Sequence, residues 1–409
     1  MKTLRWLFYS LWFLLLVIGA LGVYWRASEG LQTTALGSYI VWGLWISVDI
    51  YLIGLSAGAF LLSSLVYVFR VKQLEPVGKL ALFTALICLF LAILSAWFDI
   101  GHMERFLSVY TRPNFHSLMT WIVWLYSVYF LLLLAELWFA LRRDLAGWAT
   151  QQNGRGRLAR LVLLGRTGLD AQTVEGDRRL LRILGTIGVP LAIAFHGGMG
   201  ALFATLLARS YWYGPLYPIF FLTGALASGS ALLLAVTVFA WPRRDETWRA
   251  MITLLSRILV GLLALDLLLE WAEISARVWY GVGAEVQTFQ TVLFGPYWWV
   301  FWVFHILLGV LIPFALIVMG QRRPWWLGVA GALVAMLFMA VRLNIVIPGL
   351  ITPAFPGLQA AYQGPRLLFS YFPSLTEWQV ALFVFMLGIG LFYLGYRLLP
   401  LVQTPKEVA

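Results

Sequence analysis

Residues 39–69 read YIVWGLWISVDIYLIGLSAGAFLLSSLVYVF, an apolar run broken by one charged residue, Asp49. A bilayer core is crossed by roughly 20 apolar residues in helical form, so this run has one natural place, across a membrane. Nine other stretches repeat the pattern. The ten limits are 5–25, 39–69, 77–99, 115–141, 181–208, 213–241, 250–275, 290–319, 325–345 and 378–399. The expected fold class is therefore all-α: a polytopic integral membrane protein of about ten transmembrane helices, one membrane domain over 1–409. Composition agrees. Of 409 residues, 62% are hydrophobic and 11% charged, against about 25% charged in a soluble domain. That balance excludes a soluble enzyme, a disordered chain and a nucleic-acid-binding module. Lys2 and Arg5 precede the first stretch as in a signal peptide, but Val23-Tyr24-Trp25-Arg26 offers no small-residue cleavage site, so that helix is expected to be retained.

The net charge of +11 has a topological origin. Segments on one side of the ten spans, including 70–79, 142–182, 242–249, Arg322, Arg323 and Lys406, hold 21 of the 29 Lys and Arg residues, and the opposite segments hold seven. The positive-inside rule then places both termini in the cytoplasm, and the basic excess calls for a lipid bilayer, not a nucleic acid. The loop 142–182, rich in Arg and Gly, reads as a solvated linker. The outer segment 346–377 carries Pro348, Pro353, Pro356, Pro365 and Pro373 and reads as an ordered loop suited to docking a partner.

Ionisable groups within spans are costly and point to function. Asp49 lies about ten residues from the outer end of span two; Glu136, His196 and His305 lie in spans four, five and eight; Arg342 closes span nine. Asp266, Glu270 and Glu273 follow at steps of four and three and so share one face of span seven. Such a face passes protons or lines a wet cavity; equally, Asp266 bonds a neighbouring helix and the two Glu residues reach the interface. The single cysteine, Cys88, excludes a Cys-ligated iron–sulfur cluster, and no CxxCH attaches a c-type haem. Of four histidines, His102 and His116 belong to an outer loop and its edge, so no two axial pairs for haem b can form. Any electron carrier must be a diffusible quinone or a partner subunit. No metal site is expected.

Several motifs then carry a family resemblance. They are Val41-Trp42-Gly43-Leu44-Trp45-Ile46-Ser47-Val48-Asp49 followed by Gly54-Leu55-Ser56-Ala57-Gly58-Ala59-Phe60; Asp99-Ile100-Gly101-His102-Met103-Glu104-Arg105-Phe106; and Arg112-Pro113-Asn114-Phe115-His116. With them come His196-Gly197-Gly198-Met199-Gly200 with Ala208-Arg209-Ser210-Tyr211-Trp212, then Arg342-Leu343-Asn344 and Tyr371-Phe372-Pro373-Ser374-Leu375-Thr376-Glu377-Trp378. Their order resembles the NrfD/PsrC superfamily of polysulfide reductase membrane subunits over residues 38–399, in the ten-helix form of the HybB and DsrP membrane subunits. The resemblance implies a haem-free subunit of the bacterial inner (cytoplasmic) membrane, not catalytic alone. It implies two four-helix bundles, here 39–208 and 213–345, with 5–25 and 378–399 as peripheral helices. It implies electron exchange between membrane quinone (menaquinone or ubiquinone) and a periplasmic iron–sulfur ferredoxin-like subunit, itself joined to a molybdopterin, hydrogenase or multihaem cytochrome subunit. The quinone site belongs to the first bundle at its outer face. Where the family pattern commonly follows Asp-x-Gly with Arg or His and then Pro, this chain has His102-Met103.

The working site is a quinone pocket of Trp42, Asp49, His102, His196 and Arg342. His196 and His102 bond the head group, Asp49 takes the proton, Arg342 balances Asp49 or the quinol anion, and Trp42 walls the pocket. A proton path uses Asp49, Asp266, Glu270 and His305. The rival reading is a secondary transporter or proton-conducting membrane protein built on Asp266, Glu270 and His305; a third is a structural anchor.

Overall fold

The computed structural model describes residues 2–281, 283–320, 323–355, 357–362 and 364–402; Arg322, Pro356 and Lys406 lie outside them. Among the described residues there is no strand, and ten helices are long and apolar enough to cross a membrane. They are α1 Lys2–Glu29, α2 Leu44–Tyr67, α3 Gly78–Asp99, α4 Leu118–Ala149, α5 Ala171–Ala204, α6 Tyr217–Ala240, α7 Glu246–Tyr280, α8 Val300–Gly320, α9 Pro324–Ile351 and α10 Leu375–Leu398. Each falls on one of the ten apolar stretches, but α2 is shorter than 39–69 and α8 starts only at Val300, the beginning of 290–319 lying partly in a separate helix, Gly283–Phe294.

Helices α2 to α5 close a ring, each packing on the next and α5 returning to α2; α6 to α9 close a second ring. The rings meet where α6 lies against α2 and α5, and where α9 reaches α2. Side chains nearly vanish at the α2–α6 crossing. A Cβ added to Gly58 would lie 2.0 Å from the Ala225 carbonyl oxygen, and one on Gly229 would lie 2.5 Å from the Gly58 Cα. Backbone therefore touches backbone, the close approach that small residues permit between membrane helices.

Helices α1 and α10 pair antiparallel outside the rings and lean on α3 and α2. Trp12 Nε1 donates to the Met386 carbonyl at 2.9 Å, and a Cβ on Gly22 would strike the Gln379 side chain. At the end of α1, buried Arg26 donates to the carbonyls of Phe98 (2.8 Å) and Ile100 (2.6 Å), taking up acceptors that the end of α3 leaves open.

Two segments differ from the expectation. The stretch 142–182 is no linker: α4 runs on to Ala149, a short helix spans Gly154–Val162, and α5 starts at Ala171. Buried Arg142 organises it, pairing with Asp177 and donating to the carbonyls of Arg166 and Gly168. Helix α9 also continues past 345 to Ile351, straight through Pro348.

Candidate functional site

Inside the second ring lies a cavity of about 80 Å³. Asp266, Glu270 and Glu273 from α7, His305 from α8, and Arg342 and Asn344 from α9 supply its polar wall. The four-and-three spacing of the acids does put all three on this one surface. Glu270 Oε2 stands 3.5 Å from His305 Nε2. Thr223 on α6 donates to Asp266 Oδ1 at 3.3 Å, and Glu273 pairs with Arg277 at 2.5 Å. His305 sits in Val300–Leu311, where α8 is wound as a π-helix, an arrangement that is rare and concentrated at functional sites. A cavity of this size has room for several waters beside its polar wall, since one water needs roughly 10–15 Å³ by the same measure.

Arg342 connects this cavity to the other ring. It is 1% exposed, and its guanidinium carbon lies 4.7 Å from the Phe221 ring centroid and 5.3 Å from that of Phe338. Its Nη2 would be 3.2 Å from a Cβ at Gly224 on α6 and 3.5 Å from one at Gly54 on α2. Gly224 gives the guanidinium its passage between the rings, and Gly54 leaves it ordinary contact distance. Asp266 on one side and His196 on the other lie within its electrostatic reach. Its Nε and Nη2 have no hydrogen-bond partner, and among the described residues no ion pair joins it to Asp49.

Asp49 (α2) and His196 (α5) lie within the first ring, 5% and 0% exposed. Among the described residues, Asp49 Oδ1 and both ring nitrogens of His196 have no hydrogen-bond partner. Asp49 lies within electrostatic reach of Asp99 and of Tyr126 on α4. Trp42, just before α2, packs its ring 5.6 Å from Phe203 and 5.9 Å from Trp212; Phe203 in turn lies 5.5 Å from Phe221, on which Arg342 rests. One aromatic chain thus leads from Trp42 to Arg342, passing through the helix that carries His196. His102 is elsewhere: it is exposed on the loop after α3, its Nδ1 2.8 Å from Glu104 Oε1.

The loops flanking α2, α9 and α10 hold these helices by side chain to backbone bonds. Pro348 has no N–H, so the carbonyl four residues earlier, that of Asn344, loses its helical donor. The Tyr211 hydroxyl replaces it at 3.0 Å, and Trp212 Nε1 donates to the next carbonyl, Ile345, at 2.7 Å. A second tie centres on Glu377, buried in the first turn of α10. Its carboxylate accepts from Tyr371 (2.5 Å), from the Ala35 N–H and from the Ser374 N–H (2.9 Å each), the last closing a capping box. The Tyr371 hydroxyl also accepts the Leu44 N–H at 2.7 Å. Burial, and then the Glu377 carboxylate, push the Tyr371 phenol far above its usual range, so it stays a donor.

Sequence reading met Tyr211, Asn344 and Glu377 only inside motifs and gave them no role of their own, and it passed over Thr223 beside Asp266. Ser374-x-x-Glu377 is a legible capping signature; nothing local marks the other three. Among the described residues no three His, Cys, Asp or Glu side chains gather as a metal site.

The model of one protein family, "Polysulphide reductase, NrfD", matches residues 32–354. The chain is 38% identical to a selenate reductase subunit of Mesobacillus selenatarsenatis, over 99% of this chain and 96% of that one. It is 27% identical to an Hdr-like menaquinol oxidoreductase integral membrane subunit of Archaeoglobus fulgidus, over 97% and 94%. It is 24% identical to a menaquinone reductase integral membrane subunit of Nitratidesulfovibrio vulgaris, over 95% and 90%.

Proposed function

The chain belongs to the polysulphide reductase NrfD family of integral membrane proteins, and from that premise we propose that it is the haem-free, quinone-reactive subunit of an oxidoreductase complex. The observation that carries the reading is the unmatched polarity of the first ring. A buried imidazole with two free nitrogens and a buried carboxylate with a free oxygen each leave hydrogen bonds unmade, at a cost of about 1–3 kcal/mol per group. A ligand with two oxygens that alternate between carbonyl and hydroxyl satisfies both. The relatives named for menaquinol and menaquinone support that choice of ligand.

In this reading His196 holds one head-group oxygen, as donor to a carbonyl or acceptor from a hydroxyl. Asp49 accepts one of the quinol's two protons and the other leaves to water at the outer face, as two electrons leave for an iron–sulfur partner subunit there; both protons return when electrons arrive. Trp42 walls the approach. Arg342 sits between His196 and Asp266, so charge change in the first ring is felt at the cavity in the second. There Asp266, Glu270 and His305 line a water-filled chamber that relays protons. Both termini face the cytoplasm, and the loops after α3, α5, α7 and α9 meet the partner.

The test is quinol oxidation and quinone-analogue affinity in membranes with matched subunit levels. Asp49→Asn keeps the shape, so turnover is expected to fall while the complex still assembles. His196→Ala removes a hydrogen bond and should weaken analogue binding about 10- to 100-fold. Wild-type values in both variants would refute the assignment and move the search to the acidic face of α7.

A further inference from the structure

A groove of about 880 Å³ opens between the α1–α10 pair and the body of the protein. That is within the span of ligand pockets, about 300–1,000 Å³. Its body is apolar: Leu52 and Leu55 of α2, Ile87 and Leu91 of α3, Leu232 of α6 and Phe385 of α10. The groove arises because α10 packs on α3 and α2 while touching α6 at its end, where Tyr396 donates to the Ala240 carbonyl, 2.5 Å, like a strut. Met336 of α9 lines the mouth and is 70% exposed, so the groove opens sideways, where acyl chains would lie.

One end differs. Arg5 in the first turn of α1 and Arg397 in the last turn of α10 both line the groove. Among the described residues neither forms an ion pair with a carboxylate. Tyr9 and Tyr393 stand beside them with hydroxyls 2.6 Å apart, and Arg397 lies over the Tyr393 ring at 5.8 Å. Arginine and tyrosine together are the side chains of a membrane–water boundary. From Arg397 up to Phe385 is twelve residues, roughly 18 Å at 1.5 Å per residue, close to half of a hydrocarbon core of about 30 Å. The groove is one leaflet deep, apolar along its length and doubly cationic at its wet end.

We propose that this groove is a binding site for an anionic phospholipid, with the phosphate between Arg5 and Arg397 and the acyl chains along α2, α3 and α10. The lipid mortars the α1–α10 pair to the rings where protein contact is missing. A quinone tail would fit the apolar walls equally well, but it has no anion for the two arginines.

The experiment uses the full chain, purified in mild detergent and delipidated. Phosphatidylglycerol or phosphatidylcholine with the same acyl chains is added back, and bound lipid is counted by native mass spectrometry alongside the melting temperature. Phosphatidylglycerol should be retained and raise the melting temperature; phosphatidylcholine, whose choline offsets its phosphate, should be retained much more weakly and raise it less. Each arginine contributes about a factor of five to six to an anionic lipid, so R5Q/R397Q should weaken retention about 30-fold. Met336→Trp, at a side chain 70% exposed, should block retention with both arginines present. Equal retention of the two lipids, or undiminished phosphatidylglycerol binding by R5Q/R397Q or by Met336→Trp, would overturn the proposal. So would a quinone analogue that occupies the groove in preference to phosphatidylglycerol.

Discussion

Gly58→Ala tests the seam between the rings with one methyl group. The added Cβ would lie 2.0 Å from the Ala225 carbonyl oxygen and 2.8 Å from the Gly229 Cα. Both obstacles are backbone, so no side chain can swing aside. Reaching even 3.0 Å requires α2 and α6 to part by about 1 Å, and a gap of 0.5–1 Å forfeits a quarter to a half of the dispersion energy of every pair across it. Overpacking a core costs about 1–3 kcal/mol, and a rigid backbone clash belongs at the upper end, about 3 kcal/mol. Two internal controls share the chemistry. Gly54→Ala, on the same helix, would bring a Cβ no nearer than 3.5 Å to the Arg342 Nη2, and Gly261→Ala on α7 meets nothing within 4 Å. Both should stay within about 1 kcal/mol of wild type. The assay is reversible unfolding in mixed micelles titrated with SDS. If Gly58→Ala is as stable as wild type, or Gly54→Ala costs as much, the backbone seam does not hold the rings together.

Tyr211→Phe should cost about 1–3 kcal/mol in the same assay, because the Asn344 carbonyl freed by Pro348 is left unmatched; adding Pro348→Ala, which restores an N–H, should recover most of the loss. Arg342→Gln and Asp266→Asn should each destabilise, and the double variant should cost at least about 0.5 kcal/mol less than the two together, as for groups in one electrostatic network; strict additivity would mean that they do not interact. Alkaline phosphatase fused at residue 30, 110 or 360 should be active and at 160 or 245 inactive; the reverse pattern would invert the orientation. A reduced-minus-oxidised spectrum of the purified chain should lack an α-band, and a stoichiometric b-type signal would refute the haem-free reading.

The ten crossings were legible because a membrane helix is written locally, in length and apolarity. Where the reading stopped short, the cause was a distant compensation. Pro348 is a stop signal by every local rule, and the donors that let α9 continue sit on Tyr211 and Trp212, more than 130 positions away in the chain. The loop 142–182 looked solvated because its arginines were counted as charges, whereas Arg142 is buried and binds loop carbonyls. Among the site residues, steps of four and three on α7 foretold that Asp266, Glu270 and Glu273 share one surface, and depth along a span marked Asp49 and His196 as buried. Depth alone could not select partners. Arg342 and Asp49 are both expensive in a membrane and of opposite sign, yet α9 packs so that the carboxylate within reach of Arg342 is Asp266. His102 was chosen by its place in a motif, with no periodicity to say whether it faces inward.

The glycine seam also bears on which motions the protein can make. Transporters that work by rocking swing one half against the other, opening first to one side and then to the opposite side. Such a hinge slides best on side chains that can change rotamer as the surfaces roll. At Gly58 and Gly229 there is nothing to roll on: two main chains are in contact, and tilting either helix drives carbonyl oxygen into Cα. Backbone contact at this crossing leaves little room for the rings to tilt against each other. In the function proposed above, protons and electric field are what pass between the rings without parting this contact, and Arg342, lodged in the joint itself, is the part that both halves would sense.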